Sequence, residues 1–257
     1  MADLFDMTAR VQRRDRAVRN DAETFLEQRA IEDVCERLDT ITRRFDRALL
    51  IGALDPAHVA MLARRVDRLE VVDPSPRAAT NANGRRANEN EIDFDPGSFD
   101  LIVASGTLAT VNDLSEVLLR LRFLLDAEGL LIGFVAGGDL LPQLRRAMAA
   151  ADSDRQRHSP RFHPRLDPAG LTQLLAASGL QMPVVDVDRV EIRYSAMADL
   201  VRDLRGMGAT NVLVERSRQP MSRAARSRAQ AAFIDDTRDG RVSETIELLH
   251  FMGWAPA

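Results

Sequence analysis

Apolar positions along the chain change their period several times, and each change marks an element. Over residues 21 to about 44, Phe25, Leu26, Ala30, Val34, Leu38 and Ile41 recur at helical spacing, which predicts one long helix able to cover a sheet. The compact run Ala48-Leu49-Leu50-Ile51 follows, bounded by Asp55-Pro56, as expected of a strand buried on both faces in a parallel sheet. A helix is predicted through Met61 to Arg65. Val71-Val72 then runs into Asp73-Pro74 about twenty residues beyond the first strand, the interval of one β-α-β unit.

Residues 81–90 are polar and rich in asparagine, and no convincing third strand is visible there. Residues 99–104 read as a strand, 114–125 as a helix and 130–135 as the fifth strand. Gly137-Gly138-Asp139 is expected to cap a helix running to about Ala150, and Asp167 to cap a helix over 168–177 that Gly179 closes. Residues 184–194 alternate as a sixth strand. Helices over 196–206 and 222–233 form a predicted cap, and 242–251 returns as a last strand, expected antiparallel to its neighbours. The first twenty residues carry Arg10, Arg13, Arg14 and Arg16 together with Asp3, Asp6 and Asp15. A targeting peptide would be poor in acids, so this stretch is read as an arm or docking helix. The expected organisation is an arm and covering helix over 1–45, then one domain over 46–257 with a helical insert at about 196–240.

Composition narrows the chemistry. With 257 residues and 45% hydrophobic content, the chain can bury the core of one elaborated α/β domain. All 35 basic residues are arginine, which excludes a lysine Schiff base or a lysine general base. The net charge of −4 argues against a nucleic-acid surface. Cys35 is the single cysteine and lies at an apolar position of a helix, which excludes internal disulfides and thiolate metal sites. His58, His158, His163 and His250 are scattered without metal-ligand spacing, so no metal is expected. No apolar run reaches the roughly twenty residues of a membrane helix, and no secretion signal opens the chain. The expectation is a soluble, cytoplasmic protein.

The most informative segments are LLIGALDP, EVVDPS and SFDLIVASGTLATVNDL, at 49–56, 70–75 and 98–114. Strands that end in polar residues are what a doubly wound sheet needs to hold a nucleoside at its carboxyl edge. Asp73 suits the role of ribose acceptor, with a helix cap or turn as the alternative. Gly52 serves either ligand contact or a tight strand-to-helix turn. Leu54 and Pro56 stand where small residues would be wanted, one filling space and the other removing an amide donor. Farther on, Tyr194, Asp199, Arg202, Asp203, Arg205 and Asn211 bring polar groups onto one helix and loop. They are read either as a grip on a polar substrate or as a network fixing the cap, with Asn211 capping the next turn. The arginines between Arg216 and Arg228 are read as a solvated helix face.

The succession RFDRALLIGALDP, EVVDPS, LLIGFVAGGDLLPQLRRAM, HPRLDPAGLTQLLAASGL and YSAMADLVRDLRGMGATNVL resembles the methyltransferase-like proteins that include a mitochondrial complex I assembly factor acting as an arginine hydroxylase. The resemblance spans Phe5 to Trp254, and DLRGMGATN is its most specific part. It implies a class I methyltransferase, Rossmann-like, α/β fold: a seven-stranded sheet with helices on both faces and a helical cap before the last strand. The implied cofactor is S-adenosylmethionine, held by Gly52, Ala53, Asp73, Pro74, Asn88, Glu89 and Ser105. Tyr194, Arg202, Asp203, Arg205 and Asn211 are the implied cap or substrate residues. Three places depart from the family pattern: the first loop, the shortened 81–90 segment and Ala109-Thr110, where members often carry His-Trp. The expected function is therefore an S-adenosylmethionine-dependent methyltransferase-like protein, its cofactor site weakened or lost, acting on a protein substrate. The alternative is a non-catalytic relative that binds a protein partner, as a respiratory-complex assembly factor would. No catalytic residue is assigned.

Overall fold

A computed structural model describes residues 3–153, 160–234, 237 and 239–257. One seven-stranded sheet organises them, in the order β3-β2-β1-β4-β5-β7-β6. Its strands are β1 (Phe45–Ile51), β2 (Val66–Asp73), β3 (Arg85–Arg86), β4 (Phe99–Ser105), β5 (Leu125–Gly137), β6 (Gln181–Tyr194) and β7 (Val242–Trp254). The first five run parallel, and β7 is antiparallel to both β5 and β6, as expected of the last strand. β1 is interior, flanked by β2 and β4, while β4 holds the middle place.

The period-2 geometry of a strand explains why the apolar runs are continuous: alternate side chains go to opposite faces, and both faces are covered. Ala48, Leu50, Val103 and Ile132 join a core with α2 (Phe25–Thr40), α3 (Pro56–Ala63), α6 (Pro142–Ala151), α8 (Met197–Gly206) and α9 (Arg223–Ile234). Leu49, Ile51, Ile102 and Leu131 join the other core with α5 (Leu114–Leu124) and α7 (Pro168–Ala177). Each such leucine, isoleucine or valine side chain contributes about 1.5–3 kcal/mol on burial. The buried Cys35 packs into the first core. Two further helices, α1 (Met7–Arg19) and α4 (Pro76–Asn81), lie at the carboxyl edge of β2, and short 3-10 turns follow at Glu89–Glu91 and Thr107–Thr110.

Two expectations need correction. A third strand exists, but its two residues are too few to leave an alternation in the sequence. The helix after β5 is not capped by Gly137-Gly138-Asp139. β5 continues through Gly137, Leu141 takes the N-cap place with φ 55°, and Pro142 begins the helix. The free amides of Gln143 and Leu144 are taken instead by the Glu244 carboxylate at 3.2 and 2.8 Å. The cap at Asp167 is as expected, its carboxylate accepting from Gly170 N at 2.8 Å.

Candidate functional site

The carboxyl edge of β1, β2 and β4 brings Gly52, Ala53, Asp73, Pro74 and Ser105 together, because three parallel strands end at one level. Gly52 has φ +92° and donates its amide to Val72 O at 2.9 Å. A Cβ there would stand 2.6 Å from Ser105 O, so the glycine serves close backbone approach within the turn. Pro56 opens α3 behind the Asp55 cap, where a missing amide donor costs nothing. Leu54 is buried in the same turn.

Asp73 is fully buried, and both its oxygens are used within the chain. Ser75 N donates to Oδ1 at 2.7 Å and Ala53 N to Oδ2 at 2.8 Å. Arg14, from α1, adds a bidentate contact: Nη2 to Oδ2 at 2.7 Å and Nε to Oδ1 at 2.9 Å. Burial alone would lower the Arg14 guanidinium's pKa, but the adjoining Asp73 carboxylate reverses this and the net direction is upward.

One turn earlier on α1 the arrangement recurs. Glu89, also fully buried, receives Arg10 Nη2 at 2.5 Å and Nη1 at 2.8 Å. The same guanidinium donates to Thr107 O and to Thr110 Oγ1, each at 2.9 Å. Asn88 stands apart from this contact and donates its amide to Glu91 at 2.7 Å. Ser105 Oγ donates to Glu27 Oε1 at 3.1 Å.

The cap residues do not converge on one point. Arg202 pairs with Asp199 at 2.9 Å and is 71% exposed. Arg205 is exposed in the last turn of α8. Tyr194 is buried beneath the cap, where burial and then Asp203 push its phenol upward. Asn211 folds its own turn, accepting from Leu213 N at 2.9 Å and donating to Pro160 O at 2.8 Å. The loop between α8 and α9 nevertheless meets α1. Arg13 donates to Thr210 Oγ1 at 2.8 Å, and Arg216 donates to Asp6 Oδ2 at the same distance. The Ala9 amide and then Arg216 hold the Asp6 carboxyl below its usual range. His163 Nε2 accepts from Val212 N at 3.0 Å, and burial followed by Arg13 and Arg145 lowers its pKa to about 4.

His58 lies 3.4 Å from Glu27 and His250 lies 2.8 Å from Asp33, both buried, while His158 falls outside the described residues. Among the described residues no cluster of histidine, cysteine, aspartate or glutamate could hold a metal, and no helix is long and apolar enough to cross a membrane.

Sequence reasoning missed Arg10 and Arg14 as occupants of the site, and also Glu27 and Thr107. One signal was present: Arg10, Arg14 and Ala17 recur at helical spacing, so the arginines share the stripe that faces the protein.

The methyltransferase domain family matches residues 26–184. The chain belongs to that family. It is 29% identical over 244 residues to the mitochondrial arginine-hydroxylase NDUFAF5 of Danio rerio, covering 90% of this chain and 75% of the relative. Among solved structures, the YcgJ protein of Bacillus subtilis superposes with a TM-score of 0.60 at 11% identity, over 88% of this chain and 99% of its own. The N-methyltransferase NodS of Bradyrhizobium japonicum, solved with S-adenosylhomocysteine, superposes with a TM-score of 0.53 at 17% identity, over 96% and 99%. The sheet order and the antiparallel last strand are those of the class I S-adenosylmethionine-dependent methyltransferase fold.

The residues present do not fit S-adenosylmethionine in this arrangement. A ribose diol donates hydrogen bonds to an open carboxylate, and Asp73 already accepts from a guanidinium and two amides. At Glu89 the Arg10 guanidinium engages both oxygens and stands where an adenine donor would approach. A depression of about 250 Å³ between α1 and the start of α4 is lined by Gln12, Asp15, Arg16, Arg19 and Arg77, and none of Gly52, Asp73, Glu89 or Ser105 lines it.

Proposed function

We propose that this chain is a methyltransferase-family protein that acts by binding a protein partner and does not transfer a methyl group in the state described. The observation that carries this reading is the double occupation of Asp73 and Glu89 by Arg14 and Arg10. Both members of each pair are largely withdrawn from water. Separating such a pair leaves an uncompensated buried charge, at a cost of about 3–5 kcal/mol. A cofactor would have to meet that cost from its own contacts, and the first loop offers it Leu54 in place of a bare backbone. Supporting the partner reading, Leu119 and Phe123 stand four residues apart on α5 and are 54% and 63% exposed.

A calorimetric titration with S-adenosylmethionine and S-adenosylhomocysteine tests the proposal. The expected dissociation constant is weaker than about 0.1 mM, a binding free energy less favourable than roughly −5.5 kcal/mol. Micromolar binding by the unmodified chain overturns the reading and returns the protein to the cofactor-dependent enzymes.

A further inference from the structure

We propose that α1 is an internal ligand of the nucleoside position, and that its Arg10 and Arg14 compete with a nucleoside for the same two carboxylates. The inference rests on the reading above in one respect, that the resting chain does not hold the cofactor. It adds that the site is shut by a displaceable helix, with its carboxylates still formed behind it.

Three observations support it. The carboxylates keep the surroundings of an acceptor site. Asp73 is held by the backbone amides of Ala53 and Ser75 as well as by Arg14, so two of its contacts come from the sheet edge itself. The arginines sit where ligand groups would: Arg14 on the carboxylate that ends β2, and Arg10 on the one that follows β3 and against the loop after β4. Finally, the apolar anchorage of α1 is small and separate from the two cores that bind the sheet. Phe5 and Ala9 pack with Val212 and Leu213, with Met7 beside them. Beyond this cluster and the buried Ala17, α1 is seated by polar contacts: Arg10 on Glu89, Arg14 on Asp73, Asp15 on Ser75 and Arg77, and Arg13 on Thr210. An element held this way opens at a lower free energy than the strands beneath it. Asn20 closes α1, Asp21 follows at φ 61°, and Thr24 precedes α2, so a short connection lets the helix leave without unfolding α2.

The test uses the full chain and S-adenosylhomocysteine as the probe, followed by calorimetry, with folding checked by thermal melts. Arg14→Ala should bind the nucleoside at least tenfold more tightly than the unmodified chain. Adding Asp73→Ala to that variant removes the ribose acceptor and should abolish the gain. Arg29→Ala, which removes an exposed partner of Asp188 far along the chain, should leave affinity unchanged. Should Arg14→Ala fail to fold, Arg14→Gln keeps a donor on the Asp73 carboxylate and carries the same expectation with a smaller gain. A folded Arg14 variant with no gain overturns the inference and leaves the partner-binding reading standing. A gain that survives Asp73→Ala also overturns it, because the nucleoside would then be bound elsewhere. Micromolar binding by the unmodified chain, equal in the Arg14 variant, removes both proposals.

Discussion

Two regions of the molecule are built from the same chemistry, arginine against aspartate or glutamate, and burial separates them. Between α2 and the edge strand β6, Arg29 meets Asp188 and Arg37 meets Asp186, each at 2.6 Å. Arg29 is 58% exposed there, so water screens the attraction and competes for both partners. Under α1, Arg10 and Arg14 meet Glu89 and Asp73 at similar distances with almost no solvent between them. The first set holds charged surfaces in register. The second fixes one helix over the edge of the sheet where this fold keeps its cofactor, because either partner left alone would be a buried charge. Pair counting would score the two regions alike, and only exposure tells them apart.

The largest effect expected from this contrast is at Asp73. Replacing it by alanine strands Arg14 in a buried place and should cost about 3–5 kcal/mol, measured by urea denaturation. A loss below about 1 kcal/mol would place the pair with the surface set.

The far end of α1 gives a smaller effect that depends on pH. His163 faces Phe5 edge-on at a centroid distance of 5.2 Å and accepts from the Val212 amide, with Arg13 and Arg145 facing it. Its folded pKa of about 4 lies below the ordinary 6.5, so the native state holds the ring neutral while the unfolded chain takes up a proton. Stability from this group is therefore complete above pH 6.5 and is lost as pH falls towards 4, by about 3 kcal/mol. Stability curves of the unmodified chain and of His163→Asn should converge over that window. Parallel curves would mean that the ring is not held neutral.

The smallest effect belongs to the surface set. Arg29→Ala should change stability by about 0.2–1 kcal/mol, and the difference should shrink further in 1 M salt. A loss of several kcal/mol would erase the distinction between the two regions.

Much of the fold was legible because strands and helices announce themselves through periodicity. The run at Ala48 to Ile51, the Asp73 strand end and the Asp167 cap all depend on neighbours in sequence, and all stand where expected. The two-residue β3 was too short to signal itself, and the start of α6 depends on Glu244, about a hundred residues away in sequence. The site divides the same way. Asp73 was legible as a candidate acceptor from its place at a strand end, and Glu89 only through the family resemblance. Their partners were not, since Arg14 lies 59 residues from Asp73 and Arg10 lies 79 from Glu89. The helical spacing of Arg10, Arg14 and Ala17 marks the inward stripe of α1, but nothing local says which acids it meets. Thr110 was noted as a departure from the family pattern, and the structure shows it accepting from Arg10.

The central claim is that Asp73 is committed to Arg14, and a double-mutant cycle measures that commitment directly. Urea denaturation of the unmodified chain, Arg14→Ala, Asp73→Ala and the double variant yields the coupling between the two side chains. The account predicts a coupling of at least about 2 kcal/mol, the double variant being less destabilised than the sum of the singles. A coupling below about 1 kcal/mol, the value of an exposed pair, would contradict it.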